Sequence, residues 1–192
     1  MKIPNDNIWA AWRLFLRDPN ALSTFNGSAE DALHSFRALF TALPFYLFLL
    51  LLAPESLNST RGGLQIGLLH TVFYVLIWTI WPVVMFRVVR VVDRQEHYFR
   101  YLAAYNWSMV IQVAIWLAVF IATWALGLTG SPARILTVVA VCTVVLYHIH
   151  ILRSTLALRT MPALAIAMIK MFLYQLLMGT HHAALILSLI HI

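Results

Sequence analysis

The chain has 192 residues, of which 62% are hydrophobic and only 10% are charged. A water-soluble domain is roughly 45 to 50% apolar and about 25% charged, so this composition excludes a soluble globular fold. Basic residues outnumber acidic ones by 13 to 7. Because they stand beside apolar runs, they are typical of contact with lipid headgroups rather than with nucleic acid. The single cysteine, Cys142, excludes an intramolecular disulfide.

Residues 1–32 form a predicted cytoplasmic N-terminal segment, with no apolar region that would indicate a cleavable signal peptide. Residues 8–17 read as a short amphipathic helix in which Arg13 and Arg17 lie outside the apolar arc. The arc consists of Ile8, Trp9, Trp12, Phe15 and Leu16. Such a helix suits the surface of the cytoplasmic leaflet, although the same face would also suit packing on membrane spans or on a partner chain. Ser28, followed by two acidic residues, then has the form of a helix start.

Residues 33–192 are predicted to form the membrane domain. A membrane-spanning helix needs about 20 apolar residues, and five runs qualify. They cover about 33–53, 66–89, 102–126, 133–152 and 162–181. Residues 183–192 form an apolar tail that is too short to cross the bilayer again. The predicted fold is therefore all-α, a polytopic bundle of about five transmembrane helices with an amphipathic interfacial helix at its N-terminus.

The distribution of basic residues predicts the orientation of the bundle. If the N-terminus is cytoplasmic, the outer loops hold only Arg61 and Arg134. The inner segments then hold ten basic residues: Lys2, Arg13, Arg17, Arg37, Arg87, Arg90, Arg94, Arg100, Arg153 and Arg159. Basic residues next to spans are retained on the cytoplasmic side. This bias predicts a multi-pass protein of a bacterial inner membrane with its N-terminus in the cytoplasm and its C-terminus outside.

The densest charges follow the second span directly. Arg87, Arg90 and Arg94 are spaced to share one face of an extended helix, with Asp93 and Glu96 turned away. Together with Arg13 and Arg17 of the N-terminal segment, these arginines are candidates for binding anionic lipid headgroups. The alternative is that they only hold the spans in their orientation and bind no specific ligand.

Lys170 is the only strongly basic residue placed inside a span, and ionisable residues there are functional candidates by default. Polar residues at similar depth are predicted to line a pocket with it, open to the cytoplasm: Asn106, Gln112, His148 and Tyr174. The alternative is that the Lys170 side chain extends to the inner headgroups. If the pocket is functional, the chain is a conduit for a small solute or an ion.

The eight histidines raise the question of a metal or haem. His148 and His150 are two residues apart and point to different sides of a helix, so they do not share a metal centre. His70 and His181 lie at similar depth on the second and fifth spans, which is the arrangement of a bis-histidine haem, a less favoured hypothesis. The sequence contains no metal-ligand spacing, phosphate loop, nucleophile elbow or paired carboxylates. We therefore expect no metal, no cofactor and no enzymatic activity.

Small residues recur along the third span. Ala114, Ala118 and Ala122 form a stripe that lets another helix approach closely in lipid. The stripe would serve either the internal bundle or a homo-oligomer.

The layout of five closely spaced spans after a polar N-terminal segment resembles the Yip family, the Ypt-interacting membrane proteins. The segment Tyr101-Leu102-Ala103-Ala104-Tyr105-Asn106-Trp107-Ser108 is similar to the corresponding region of bacterial members. The Asp-Leu-Tyr-Gly-Pro signature of eukaryotic members is absent. The absence of catalytic motifs, the alanine stripe and the interfacial helix together predict a non-catalytic protein that organises the membrane or binds anionic lipids, a membrane-protein partner or a second copy of itself.

Overall fold

The computed structural model describes residues 4–52 and 63–190, and every regular element in these ranges is a helix. This confirms the predicted all-α fold. Short 3-10 helices cover Pro19–Thr24 and Gln95–His97. The α-helices are α1 (Pro4–Phe15), α2 (Ala29–Ser35), α3 (Arg37–Leu52), α4 (Gly63–Val91), α5 (Tyr98–Ala125), α6 (Gly130–Leu156) and α7 (Thr160–Ile190). Lys2, the predicted end of the first span at residue 53, Arg61, and residues 191 and 192 of the predicted tail lie outside the described residues.

Within residues 4–52 and 63–190, five helical segments are long and apolar enough to cross a membrane. They are Ala29–Leu51, Ile66–Val91, Gln95–Ala125, Gly130–Leu156 and Thr160–Ile186. The length and composition of these helices confirm the prediction of a multi-pass membrane protein. We call the end of the bundle with the connections 92–97 and 157–159 the basic end, and the end with the turn 126–129 the far end.

The first spanning segment is two helices rather than one. The side chain of Ser28 accepts a hydrogen bond from the Asp31 N–H at 3.1 Å and caps α2, which confirms the helix start expected there. The chain breaks at Phe36, and α3 continues from Arg37. The predicted span 33–53 therefore contains a joint that the apolar pattern did not reveal.

The second span ends earlier than the arginine spacing implied. Asp93 has a φ of +53°, and the Arg94 N–H donates to the Val89 carbonyl at 2.8 Å. This is the bonding of a helix that stops at a left-handed residue. The prediction that Arg94 shares one helix face with Arg87 and Arg90 is therefore wrong, because α4 ends at Val91.

The last helix is longer than the predicted fifth span. α7 continues past His181 to Ile190 without a break. The predicted apolar tail therefore continues the helix as far as Ile190, because Ala183, Ala184 and Leu185 are strong helix formers.

Helix α5 lies at the centre of the fold and contacts α1, α2, α3, α4 and α6. Its first half, Tyr101–Gln112, is buried on every side. A helix that is predominantly apolar all round is expected to be surrounded in this way. Helix α7 lies outside this centre and packs on α4 and α6.

Helix α1 packs on the bundle, which was one of the open alternatives, and it does so through a different face. Its buried residues are Ala10, Ala11 and Leu14, and the Tyr147 hydroxyl of α6 donates to the Ala11 carbonyl at 2.7 Å. Small alanines let the helices approach closely. Of the predicted apolar arc, Ile8 and Phe15 are partly buried. Trp9, Trp12 and Leu16 remain exposed.

Candidate functional site

Lys170 lies over an aromatic ring inside the bundle. Its Nζ is 4.7 Å from the centroid of the Tyr105 ring of α5. The Lys170 side chain is only partly buried, whereas Tyr105 is fully enclosed. The ammonium therefore turns toward the centre of the fold, and the alternative in which it extends to the headgroups does not describe this structure.

His148 of α6 lies among the aromatic rings next to Lys170. Its ring is 5.8 Å from Tyr105, 5.7 Å from Trp81 of α4 and 6.4 Å from Tyr101, measured between centroids. Each of these contacts is edge to face. The Trp81 indole N–H donates to the Tyr101 hydroxyl at 2.6 Å. This bond fixes these two side chains relative to each other. We call Lys170, His148, Tyr105, Tyr101 and Trp81 the Lys170 site.

Four helices each bring one residue of the Lys170 site to one level, and Tyr101 lies one turn nearer the basic end. Trp81 lies 10 residues before the end of α4 and Lys170 lies 10 after the start of α7. Tyr105 is 7 residues after the start of α5 and His148 is 8 before the end of α6. At 1.5 Å per residue, these positions are about 10 to 15 Å from the basic end. That is about half the thickness of a hydrocarbon core or less.

Lys170 has no acidic partner among the described residues. Both ion pairs in the described part of the chain lie elsewhere, at Arg13–Asp18 and Glu96–His97. A cation over an aromatic ring gains up to about 2 kcal/mol when desolvated, but removing an ion from water costs several kcal/mol. The Tyr105 ring therefore offsets only part of the cost, and an anion beside Lys170 would offset more.

His148 adds unused hydrogen-bonding capacity to the site. Its side chain is only 2% exposed, and neither ring nitrogen has a partner within the described residues. Buried polar groups nearly always have a partner, and an unpaired one costs about 1 to 3 kcal/mol. A ligand with both donor and acceptor atoms would satisfy this ring.

Other members of the predicted pocket bond elsewhere. The Asn106 amide donates to the Ser35 hydroxyl of α2 at 2.8 Å, and Gln112 donates to Ser108 on its own helix at 3.2 Å. Tyr174 is 46% exposed. No hydrogen bond in the described ranges joins any of the three predicted members to Lys170. Of the predicted pocket, only Lys170 and His148 therefore belong to the Lys170 site. Their neighbours there are Tyr105, Tyr101 and Trp81.

These three aromatic residues were missed because they looked like core residues. A weak signal was present, since Tyr101 and Tyr105 are one helical turn apart at the polar start of the third span. Nothing in the spacing indicated which neighbouring helix they would face.

The predicted headgroup-binding arginines are spread over the basic end. Arg17, Arg87 and Arg90 are exposed, and the Arg90 guanidinium lies 4.3 Å from the centroid of the Phe86 ring. Arg94 is partly buried and donates to the Asp93 carbonyl at 2.9 Å. Headgroup binding by these residues stays a prediction.

Arg13 is already paired. Its Nε donates to the Asp18 carboxylate at 2.7 Å, and that carboxylate also accepts from the Asn20 N–H at 2.8 Å. The Asn20 N–H and then the Arg13 guanidinium hold the pKa of Asp18 below its usual value of 3.8. Of the five predicted arginines, Arg13 is therefore the least available to a lipid phosphate.

The alanine stripe and the histidine pair lie nearer the far end. Ala114 and Ala118 are exposed and Ala122 is partly buried, so the stripe is largely free of internal contacts. His70 and His181, which were predicted to lie at similar depth, are in contact, with ring centroids 4.9 Å apart. Rings in direct contact leave no room for a porphyrin between them, so this geometry disfavours the bis-histidine haem.

No known family, curated protein or solved structure matches the chain. The resemblance to the Yip family rests on the layout of the sequence and stays a prediction.

Proposed function

We propose that the protein is a non-catalytic membrane protein that binds an anionic group, a phosphate or carboxylate, at Lys170. The observation that carries this proposal is the Lys170 amino group inside the bundle, which has an aromatic ring beside it but no carboxylate from the described ranges of the chain. The unpartnered nitrogens of His148 support the proposal. A protonated oxygen of the ligand, or a water molecule bound to the ligand, would form hydrogen bonds with them.

The headgroup of an anionic phospholipid is the favoured source of that group. The Lys170 site lies within the apolar part of the bundle, and Lys170 is on α7, the outer helix that contacts only α4 and α6 extensively. A lipid enters such a position sideways from its leaflet with its acyl chains still in hydrocarbon, although its phosphate leaves water as a soluble anion would. Lipid binding also agrees with the exposed arginines at the basic end.

Native mass spectrometry from a mild detergent tests this proposal. We expect the protein to retain phosphatidylglycerol, and Lys170→Met to reduce the retained lipid at least tenfold. Arg159→Met is the matched control, because Arg159 is an exposed cation outside the site. Equal retention by Lys170→Met, or equal loss in the control, would contradict the proposal. Binding of inorganic phosphate by the delipidated protein, but no retained lipid, would identify a soluble anion instead.

A conduit for a small solute or an ion is a second candidate, because polar groups continue along the same pair of helices. α4 and α7 cross in opposite directions, and 11 residues separate His70 from Trp81 and Lys170 from His181. The Lys170 site and the histidine pair therefore lie about 16 Å apart along one seam. Flux through reconstituted vesicles that Lys170→Met abolishes would support this role. Flux no higher than that of empty liposomes would remove it.

Topology and assembly are part of the proposal. The bias of ten basic residues to two supports a bacterial inner membrane with the basic end in the cytoplasm. Cysteine labelling from one side of sealed vesicles tests it, at positions near Arg94 and Arg134. The free alanine stripe supports a homo-oligomer or a membrane-protein partner rather than internal packing.

A further inference from the structure

An open apolar groove of about 440 Å³ lies between α1 and α5. Ile8, Trp9 and Trp12 of α1 line it together with Ile111 of α5. The Trp12 ring also stacks on the Phe15 ring, with centroids 5.3 Å apart. Because the lining is aliphatic and aromatic, the groove suits a hydrocarbon chain rather than a polar ligand.

Helix α1 runs along the bundle, so the groove extends in depth. Ile111, which faces the first half of α1, is 13 residues after the start of α5 and about 20 Å from the basic end. Phe15 instead contacts Tyr147 of α6, with ring centroids 5.2 Å apart. Tyr147 is 9 residues before the end of α6, about 14 Å from the basic end. Successive residues of α1 therefore approach the basic end.

Basic side chains stand where α1 reaches that end. Arg17 follows α1 closely, and His150 and Arg153 lie three and six residues beyond Tyr147 on α6. Both arginines are exposed, and both are close enough to His150 to act on its ring electrostatically. Neither arginine has an ion pair within residues 4–52 and 63–190, and the carboxylate of Asp18 is already engaged by another arginine.

The distance from these arginines to the groove matches one lipid in one leaflet. Arg153 is 3 residues before the end of α6, about 5 Å from the basic end, and Ile111 is about 15 Å deeper. Half of a hydrocarbon core is also about 15 Å thick. A headgroup beside Arg17 and Arg153 would thus have an acyl chain long enough to occupy the groove. An uncharged lipid, or the apolar face of a second chain, would leave both arginines without a counter-charge.

We infer that one anionic phospholipid binds beside α1, with its headgroup at Arg17 and Arg153 and one acyl chain in the groove formed by Ile8, Trp9, Trp12 and Ile111. The Lys170 site lies on a different part of the bundle, where α7 packs on α4 and α6, so the inference does not depend on anion binding there. Because the groove is open, its lipid exchanges with detergent, and a bilayer is needed to detect it.

Photolabelling in vesicles tests this inference. Phosphatidylglycerol or phosphatidylcholine, with a diazirine in the middle of one acyl chain, is added as a trace to vesicles of phosphatidylcholine that contain the protein. Peptide mass spectrometry then compares labelling of residues 8–12 and Ile111 with that of Phe40, a 71% exposed residue of α3 outside the groove. We expect this ratio to be about tenfold higher or more with the phosphatidylglycerol probe, because each of two arginines near an anionic headgroup contributes a factor of about five.

Matched variants assign the effect to the two arginines. The double variant Arg17→Gln with Arg153→Gln should lower the phosphatidylglycerol ratio to the phosphatidylcholine value. Arg87→Gln with Arg159→Gln removes the same charge from exposed positions at the same end and should leave the ratio unchanged. Lys170→Met should also leave it unchanged, which separates this inference from the function proposed above.

Four outcomes would overturn the inference. Two concern the groove and its arginines: equal ratios for the two lipids in the natural protein, and an undiminished ratio in the variant that lacks Arg17 and Arg153. A fall of the ratio in Lys170→Met would assign the labelling to the Lys170 site instead. Groove labelling that disappears as the protein density in the vesicles rises would identify a second copy of the chain as the occupant.

Discussion

The two halves of α5 belong to one helix and have opposite environments. From Tyr101 to Gln112 every residue is buried, whereas beyond Gln112 none is, and Ala114, Ala118 and Trp124 are exposed. In the buried half, polar side chains bond to partners: Asn106 to Ser35, and Tyr101 to Trp81. The exposed half presents small and apolar side chains to its surroundings. One membrane helix is therefore a core element for half its length and an exposed apolar surface for the rest.

The largest expected effect comes from enlarging an alanine in the buried half. Ala104 is 0% exposed, so Ala104→Leu forces three extra carbons into packed space and should destabilise the protein by about 1 to 3 kcal/mol. Ala114→Leu is the same change in the exposed half and should stay within about 0.5 kcal/mol. Thermal unfolding in detergent measures both. Similar losses in the two variants would contradict the comparison.

Removing a hydroxyl from the buried half should have the next largest effect. Tyr101→Phe leaves the Trp81 indole N–H buried without its acceptor, which costs about 1 to 3 kcal/mol. Tyr174→Phe removes the hydroxyl of a side chain that is 46% exposed and should change little. Unfolding followed by tryptophan fluorescence distinguishes the two. An unchanged midpoint for Tyr101→Phe would show that the bond is replaced by water.

A smaller effect is expected from the exposed half. Ala118→Leu should leave the unfolding temperature unchanged and weaken self-association several-fold, because a bulky side chain prevents close approach of a second helix. Crosslinking or single-molecule photobleaching in bilayers measures the oligomer. Cys142→Ser serves as a control at another exposed position. If Ala118→Leu assembles as the natural protein does, the stripe has no role in assembly.

The smallest effect concerns Asp18, outside the bundle. Its native pKa lies below the unfolded value near 3.8, so its stabilising contribution is present above that value and is lost as the pH falls through the lower native pKa. The difference in unfolding temperature between the natural protein and Asp18→Asn should therefore be small at neutral pH and disappear as the pH falls below 3.8 and through the lower native pKa. A difference that grows on acidification would contradict this sign.

Composition and apolar runs were sufficient to predict the helical class and the five spanning segments, because bilayer thickness fixes the length of a span. The same count along the spans placed His70 and His181 at one depth. The ends of helices were predicted less well. Asp93 stops α4 in a left-handed conformation that usually belongs to glycine or asparagine, so the sequence carried no strong stop signal there.

The composition of the Lys170 site could be predicted only in part. Depth along a span follows from counting residues, so Lys170 and His148 were found. The side of the helix that meets each neighbour depends on how the helices pack. Asn106 and Tyr105 are adjacent in sequence, yet Asn106 bonds to α2 while Tyr105 lies under the ammonium of α7. The sequence of one chain does not directly indicate which neighbouring helix each side chain contacts.

The contact of α1 with the bundle has a consequence for synthesis of the chain. The carbonyl of Ala11 receives its hydrogen bond from Tyr147, which is 136 residues later. At roughly 5 to 20 residues per second, about 7 to 27 seconds pass between translation of these two residues. During that interval α1 exists beside a docking surface that is still incomplete. The bond between α1 and α6 is therefore a late event, which occurs only after the fourth span has emerged from the ribosome.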